Sequence, residues 1–212
     1  GSVILQSAVG NATALANLTL NGSTIAMNGA NVTTSGNQTY TGAITLGTGT
    51  TLTGSNVTTT SGSTIAGAGN SLAVVGNASI AGDVSNVSTV NVSGTTRLAA
   101  NVSSTASQTY VGAMTLGSDA TVLTNGSSSV ITTTSTVNSD GTARALTLNA
   151  TGATGQVVVS DMVGDTAELS SLTVNASAIA LNGIAVTSTG AQRYSGAITL
   201  GANQILTGST IT

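Results

Sequence analysis

The segment Q-T-Y-T-G-A-I-T-L-G occupies residues 38–47, and it returns as Q-T-Y-V-G-A-M-T-L-G at 108–117 and as Q-R-Y-S-G-A-I-T-L-G at 192–201. The two spacings are 70 and 84 residues, so the repeating unit varies in length. A phrase that recurs at such intervals is typical of proteins built from stacked structural repeats. The sequence therefore predicts an elongated array before it predicts any chemistry.

The repeat extends beyond the phrase. Residues 15–58 align without a gap with residues 169–212 at an offset of 154, and 25 of the 44 pairs are identical. We expect residues 1–212 to form one continuous segment, taken from a longer array of the same kind.

The copies distinguish an inward side from an outward side. Tyr40, Ile44 and Leu46 share one parity, and residues two apart on a strand point to the same face. At the opposite parity, Thr39 of the first copy is replaced by Arg193 in the third. The inward set therefore predicts structural landmarks, with the glycines at bends between short strands. These landmarks are Tyr40, Tyr110, Tyr194, Gly42, Gly112 and Gly196.

Short runs of Val, Ile, Leu and Thr recur throughout the chain, and Gly, Asn and Ser stand between them. Their alternation predicts strands, and their brevity favours an all-β parallel β-helix, also called a β-solenoid. We predict about ten coils of three strands, with roughly 19–22 residues in each coil. The 154-residue offset would then equal seven coils of about 22 residues or eight of about 19. A β-sandwich is the competing fold, but its strands are usually longer.

The composition limits the function. Charged residues make up 4% of the chain, and Lys, His, Cys, Pro, Trp and Phe are absent. Three arginines cannot neutralise many phosphates, so we predict no nucleic-acid partner. The apolar runs are too short to span a bilayer as helices, so we predict no membrane insertion. We expect Asn, Thr and Ser at the turns to stack on their own kind and exchange side-chain hydrogen bonds.

Few residues could carry chemistry. Asp83, Asp119 and Asp140 are isolated, whereas Asp161, Asp165 and Glu168 lie close together in the sequence. Their spacing matches no calcium-binding loop, so a polar loop between coils is the favoured interpretation. We predict no catalytic residue, no metal and no cofactor. A polysaccharide-cleaving enzyme is the alternative, because such enzymes can use clustered acids on a β-helix.

Two further hypotheses concern the surface. Thirteen of the 18 asparagines begin an Asn-x-Ser/Thr sequon, which predicts either glycosylation or asparagines that simply end a turn before a Thr or Ser. The second interpretation is favoured. The candidate acceptors are Asn31, Asn56, Asn91, Asn101 and Asn149. Ice binding is the other hypothesis, but the threonines of T-x-T patterns do not recur at one fixed place in each coil.

The phrase, followed by L-T-G-S at 52–55 and 206–209, resembles repeats in filamentous-haemagglutinin-like adhesins of the two-partner-secretion class and in related bacterial β-strand-repeat exoproteins. The resemblance implies a right-handed coil, export in an unfolded state, an extracellular or cell-surface location and a role as stalk or adhesin. The absence of cysteine is consistent with such export.

We therefore expect a structural rod without catalysis. Its partners would be neighbouring coils, other copies in a fibre, and a cell-surface or glycan partner bound elsewhere in the parent protein. The alternatives are a filament or sheath subunit, a polysaccharide-active enzyme and an ice-binding solenoid.

Overall fold

A computed structural model describes residues 1–29 and 31–212, and this part of the chain consists of strands and turns without a helix. The strands pair in parallel with those of the next turn, so the predicted β-solenoid is confirmed. No helix long and apolar enough to cross a membrane occurs in the described residues.

The described residues form 23 strands. In chain order they are β1 (Ser2–Leu5), β2 (Leu18–Met27), β3 (Asn31–Thr33), β4 (Gln38–Leu46), β5 (Thr50–Thr59), β6 (Thr64–Ala66), β7 (Leu72–Ile80), β8 (Val84–Val87), β9 (Val90–Val92), β10 (Thr96–Leu98), β11 (Val102–Ser104), β12 (Gln108–Tyr110), β13 (Met114–Leu116), β14 (Ala120–Thr124), β15 (Val130–Thr133), β16 (Val137–Ser139), β17 (Ala145–Ala150), β18 (Gln156–Val159), β19 (Ser171–Leu181), β20 (Ala185–Thr187), β21 (Ala191–Leu200), β22 (Ile205–Thr207) and β23 (Thr210–Ile211).

The pairings define three columns of stacked inward residues, which we call faces A, B and C. Face A contains Leu18, Gln38, Val57, Ala78, Thr96, Met114, Val137, Val163, Val186 and Leu206. Face B contains Val3, Ile25, Ile44, Ile65, Val84, Val102, Val122, Leu148, Val174 and Tyr194. Face C contains Val9, Val32, Leu52, Val74, Val92, Tyr110, Thr133, Val159, Leu181 and Leu200. The chain visits the faces in the order A, B, C.

Each column holds ten residues, so the expected number of about ten turns is confirmed. The turns vary more in length than expected. One turn spans 18 residues, from Val74 to Val92, and another spans 26, from Thr133 to Val159. With neighbouring strands about 4.8 Å apart, the rod is roughly 45 Å long.

The sequence repeat and the structural turn do not coincide. Counting strand positions from Gln38 to Gln108 gives eleven, and counting from Gln108 to Gln192 gives eleven again. Three positions make one turn, so each repeat advances by three and two-thirds turns. The 154-residue offset is therefore seven and one-third turns, and the prediction of seven or eight whole coils is wrong. The three phrases consequently begin on different faces: A, then C, then B.

Some strands continue around a corner of the solenoid. β4 passes from face A to face B at Gly42, where the pairing register with β2 shifts between Asn21 and Thr24. Gly42 has a φ of 128°, and a Cβ atom there would overlap the carbonyl oxygen of Gly22. Only glycine fits both the left-handed backbone and the close approach of the two turns.

The interior is narrow and mostly apolar. Ile25, Leu46, Val92 and Leu148 are among the residues that are almost completely buried, and one apolar core runs along the axis. Small aliphatic side chains fill this space because three sheets face one another across a short distance. The last turn leaves its inward residues more open, and Leu200 is 55% exposed.

Candidate functional site

The most specific side-chain arrangement is a buried hydrogen-bonded group at the corner between faces C and A. Gln38 donates from Nε2 to the carbonyl oxygens of Val32 (3.1 Å) and Thr53 (2.7 Å), which lie in adjacent turns, and to Oγ1 of Thr34 (3.3 Å). Tyr40 donates its hydroxyl hydrogen to Oε1 of Gln38 over 2.6 Å. All of these groups lie in or beside the core, so the amide of Gln38 joins two turns from the inside.

The same arrangement occurs in every copy of the phrase, and we call each one a corner lock. The first consists of Thr34, Gln38 and Tyr40, the second of Ser104, Gln108 and Tyr110, and the third of Ser188, Gln192 and Tyr194. In the second lock the amide reaches the Leu123 carbonyl at 2.6 Å, and in the third it reaches the Thr207 carbonyl at 2.7 Å.

Because the repeat advances by eleven strand positions, each lock stabilises a different corner. Gln38 joins faces C and A, Gln108 joins faces B and C, and Gln192 joins faces A and B. Each corner of the described solenoid therefore carries one of these three locks.

Sequence analysis identified the tyrosines but missed their partners. Tyr40 and Tyr110 are completely buried, and Tyr194 is partly buried. Gln38, Gln108 and Gln192 are also completely buried. Two signals were available: the glutamine is present in all three copies at the parity of the tyrosine, and a hydroxyl residue lies four positions earlier each time.

Burial keeps the tyrosines of the locks protonated. Burial raises the pKa of Tyr40 and Tyr110 far above the ordinary tyrosine value, and it raises the pKa of Tyr194 to about 12. Each hydroxyl stays protonated at neutral pH and remains able to donate to its glutamine.

The other landmark glycines differ in geometry. Gly196 resembles Gly42, with a φ of 146° and the carbonyl oxygen of Ala176 where a Cβ would lie. Gly112 lies between two separate strands, β12 and β13, and packs against the backbone of Gly94.

Asparagines form a hydrogen-bonded ladder along the outside of one corner. Asn56 donates from Nδ2 to Oδ1 of Asn37 (2.9 Å), and Asn77 donates in the same way to Asn56 (3.1 Å). Below them, the backbone N–H of Asn37 donates to Oδ1 of Asn17, and above them that of Thr95 donates to Oδ1 of Asn77. The expected ladder is therefore present, and it links five successive turns.

Two of the isolated carboxylates belong to similar links. Asp83 accepts the backbone N–H of Asn101, and Asp119 accepts that of Ala145, each at 2.9 Å. These carboxylates act as turn-to-turn connections on the outside of face B.

The sequence cluster of acids is not brought together as a site. Asp161 accepts the N–H of its neighbour Met162, Asp165 accepts from Nδ2 of Asn138, and Glu168 is exposed. No group of three acidic, His or Cys side chains positioned to hold a metal ion exists within the described ranges.

A small ionic group lies on the outer surface. Asp140 pairs with Arg144 at 3.2 Å and with Arg97 at 3.5 Å. The hydrogen bond from Arg144 is the main cause that lowers the pKa of Asp140 below its usual value. The guanidinium of Arg97 crosses over Gly117 to reach this partner, so a side chain at position 117 would displace it.

The candidate glycosylation sites lie on different faces. Asn31 and Asn91 are exposed and lie three turns apart in one outward column of face C, with Thr51 and Ala73 between them. Asn56 belongs to the asparagine ladder, and Asn101 accepts the backbone N–H of Thr121. Asn149 is half-buried.

One threonine column is more regular than the sequence suggested. On the outside of face A, Thr19, Thr39 and Thr58 stack directly, and Ser79 and then Arg97 follow. The long arginine side chain interrupts the column, and asparagines rather than threonines occupy the neighbouring column. A flat double array of threonines is therefore not formed there.

These features define a β-solenoid repeat protein with three internal corner locks. No protein-family model, no curated protein and no solved structure matches this chain.

Proposed function

We propose that this chain is a structural rod segment of an extracellular protein, and that it performs no catalysis. The observation that carries the proposal is the unbroken stack of turns, with locks inside and ladders outside, and with polar groups used for turn-to-turn contacts. In such a stack each turn contacts only its neighbours, so the array provides length and rigidity.

The finer assignment is a stalk of a bacterial surface adhesin exported by two-partner secretion. It is supported by the likeness of the phrase and of L-T-G-S to repeats of those exoproteins, and by the absence of cysteine. The distal ligand-binding function would belong to another part of the parent protein. The parent open reading frame tests this assignment: an export domain of that class is expected, and its absence would contradict the adhesin.

The rod itself is tested by small-angle scattering and electron microscopy of the purified chain. We expect lone particles about 45 Å long with a narrow, constant cross-section. A compact, roughly spherical particle would contradict the rod.

A filament or sheath subunit is the second candidate. One observation favours it: residues 1–82 contain no charged side chain, although charges on strands normally prevent lateral and edge-to-edge association. Continuous fibres that form at low salt and persist at high salt would favour this candidate over the isolated stalk.

Lack of catalysis is tested with a panel of neutral and acidic polysaccharides. We expect no hydrolysis. Cleavage by the purified chain that disappears in Asp161→Ala would contradict the structural role.

A further inference from the structure

The corner locks are spaced far more widely than the turns. Each lock connects a glutamine to a carbonyl oxygen in the following turn, 15 residues further along the chain: Gln38 to Thr53, Gln108 to Leu123, and Gln192 to Thr207. The turns between two locks are held by backbone pairing, apolar packing and exposed or part-buried side-chain links such as the asparagine ladder, and no further buried Gln–Tyr pair occurs in the described residues.

We propose that the three corner locks are mechanical stops that divide the rod into blocks, so that under axial load it unravels one block at a time. The proposal rests on the structural-rod function and deepens it. A solenoid pulled from its ends loses turns from the ends inward, because each turn is held only by its neighbours. A peeling front passes ordinary turns by breaking backbone pairs and the outer side-chain links in succession. At a lock it must also separate a buried amide from three acceptors and expose a buried tyrosine.

The position of the locks gives the size of each block. A front moving in either direction releases 70 residues between the first and second locks and 84 between the second and third, because the lock partners repeat with the spacing of the phrases. At about 3.5 Å per extended residue, and after subtracting about 18 Å of rod, these releases lengthen the chain by about 230 Å and 280 Å.

The three locks lie at three different corners of the solenoid, and this placement protects all three corners from opening. Locks stacked on a single corner would leave the other two corners held only by ordinary turn contacts, so the rod would open more readily along them. Since Gln38, Gln108 and Gln192 occupy three different corners, any path of opening along the described rod meets a lock.

The test is single-molecule stretching of the full chain, held by handles at its two ends. We expect pauses separated by the two releases given above. In Gln108→Met, which keeps the side-chain length but removes the amide, the middle stop is lost and the two releases merge into one of about 510 Å. Gln156→Met is the matched control, because Gln156 is exposed on a strand and makes no side-chain hydrogen bond in the described structure. It should retain both pauses.

Two results would overturn the proposal. One is release in steps of a single turn, about 20 residues or 65 Å, without pauses at the locks. The other is an unchanged pattern in Gln108→Met. Either result leaves the rod function intact, since the particle shape measured by scattering tests that function separately. If Gln108→Met fails to fold, Tyr110→Phe provides a milder change at the same lock, and a shortened second pause is expected.

Discussion

Replacing Tyr110 with phenylalanine removes a single oxygen atom from the second corner lock. The ring can stay in place, because phenylalanine has the same shape without the hydroxyl. Oε1 of Gln108 then loses the hydroxyl that donates to it at 2.7 Å. Both residues are completely buried, so water cannot readily take the position of the lost donor. A buried acceptor left unpaired costs about 1–3 kcal/mol, and we expect Tyr110→Phe to lower the free energy of unfolding by that amount.

Tyr194→Phe is the matched control, because it makes the same change in the third lock. Tyr194 is only partly buried in the last turn, so water can approach the position of its hydroxyl even though Gln192 itself is buried. We expect a loss below about 1 kcal/mol. Urea unfolding followed by circular dichroism measures both, and with an ordinary denaturant slope Tyr110→Phe should lower the midpoint by roughly 0.5–1 M. If Tyr110→Phe cost no more than Tyr194→Phe, the buried hydrogen bond from the tyrosine hydroxyl to the glutamine Oε1 would not be what stabilises the lock.

Three further predictions concern the tyrosines, the glycines at corners and the asparagine ladder, and the two that use substitutions are measured by the same urea unfolding. Tyrosine is the only side chain that titrates near pH 10–12 here, since the chain has no Lys or Cys. Burial raises the pKa of each tyrosine in the folded state above its unfolded value of about 10, so the free energy of unfolding is highest below pH 10 and falls as the pH rises towards and past 12. Ultraviolet absorbance should show that Tyr194 ionises first. Gly42→Ala should cost more than about 3 kcal/mol, because the overlap with the Gly22 carbonyl adds to the backbone strain. Gly62 also has a positive φ but has open space at its Cβ, so Gly62→Ala should cost about 1–2 kcal/mol; equal losses would contradict the steric argument. Asn56→Ala should cost roughly 0.5–1.5 kcal/mol by breaking the ladder to Asn37, and a neutral result would show that the exposed ladder contributes nothing.

Much of the fold could be predicted because the inward parity is visible within the phrase itself. Tyr40 and Leu46 are both buried, as alternation on a strand requires. Stacking of the asparagines at the ends of turns could also be predicted, although the individual pairs could not. Asn56 stacks on Asn37 because residues at equivalent corners meet in successive turns. Local patterns of this sort survive in any β-solenoid, whatever the length of its turns.

The lock was harder to predict because it joins residues from three strands. Gln38 is polar, and a polar residue at an inward position normally counts against burial. Its cost is removed by the carbonyls of Val32 and Thr53, and neither contact can be derived without the path of the chain around the corner. Acids present the opposite case: Asp161 and Glu168 are close in sequence, yet the widened turn that contains them directs them to separate surroundings.

Each sequence repeat spans three and two-thirds turns, and this ratio bears on which positions of the phrase are identical in all three copies. The interior offers nearly the same environment on every face, so Gln38, Gln108 and Gln192 meet equivalent carbonyls although each lies at a different corner. The exterior places no such constraint on a side chain, and the phrase lies on a different face in each copy because eleven strand positions are not a multiple of three. Thr39 stacks between two threonines on face A, whereas its counterpart Arg193 lies above Thr173 on face B. Both residues lie above a threonine, but their side chains point away from the core, and nothing in the packing requires them to stay the same.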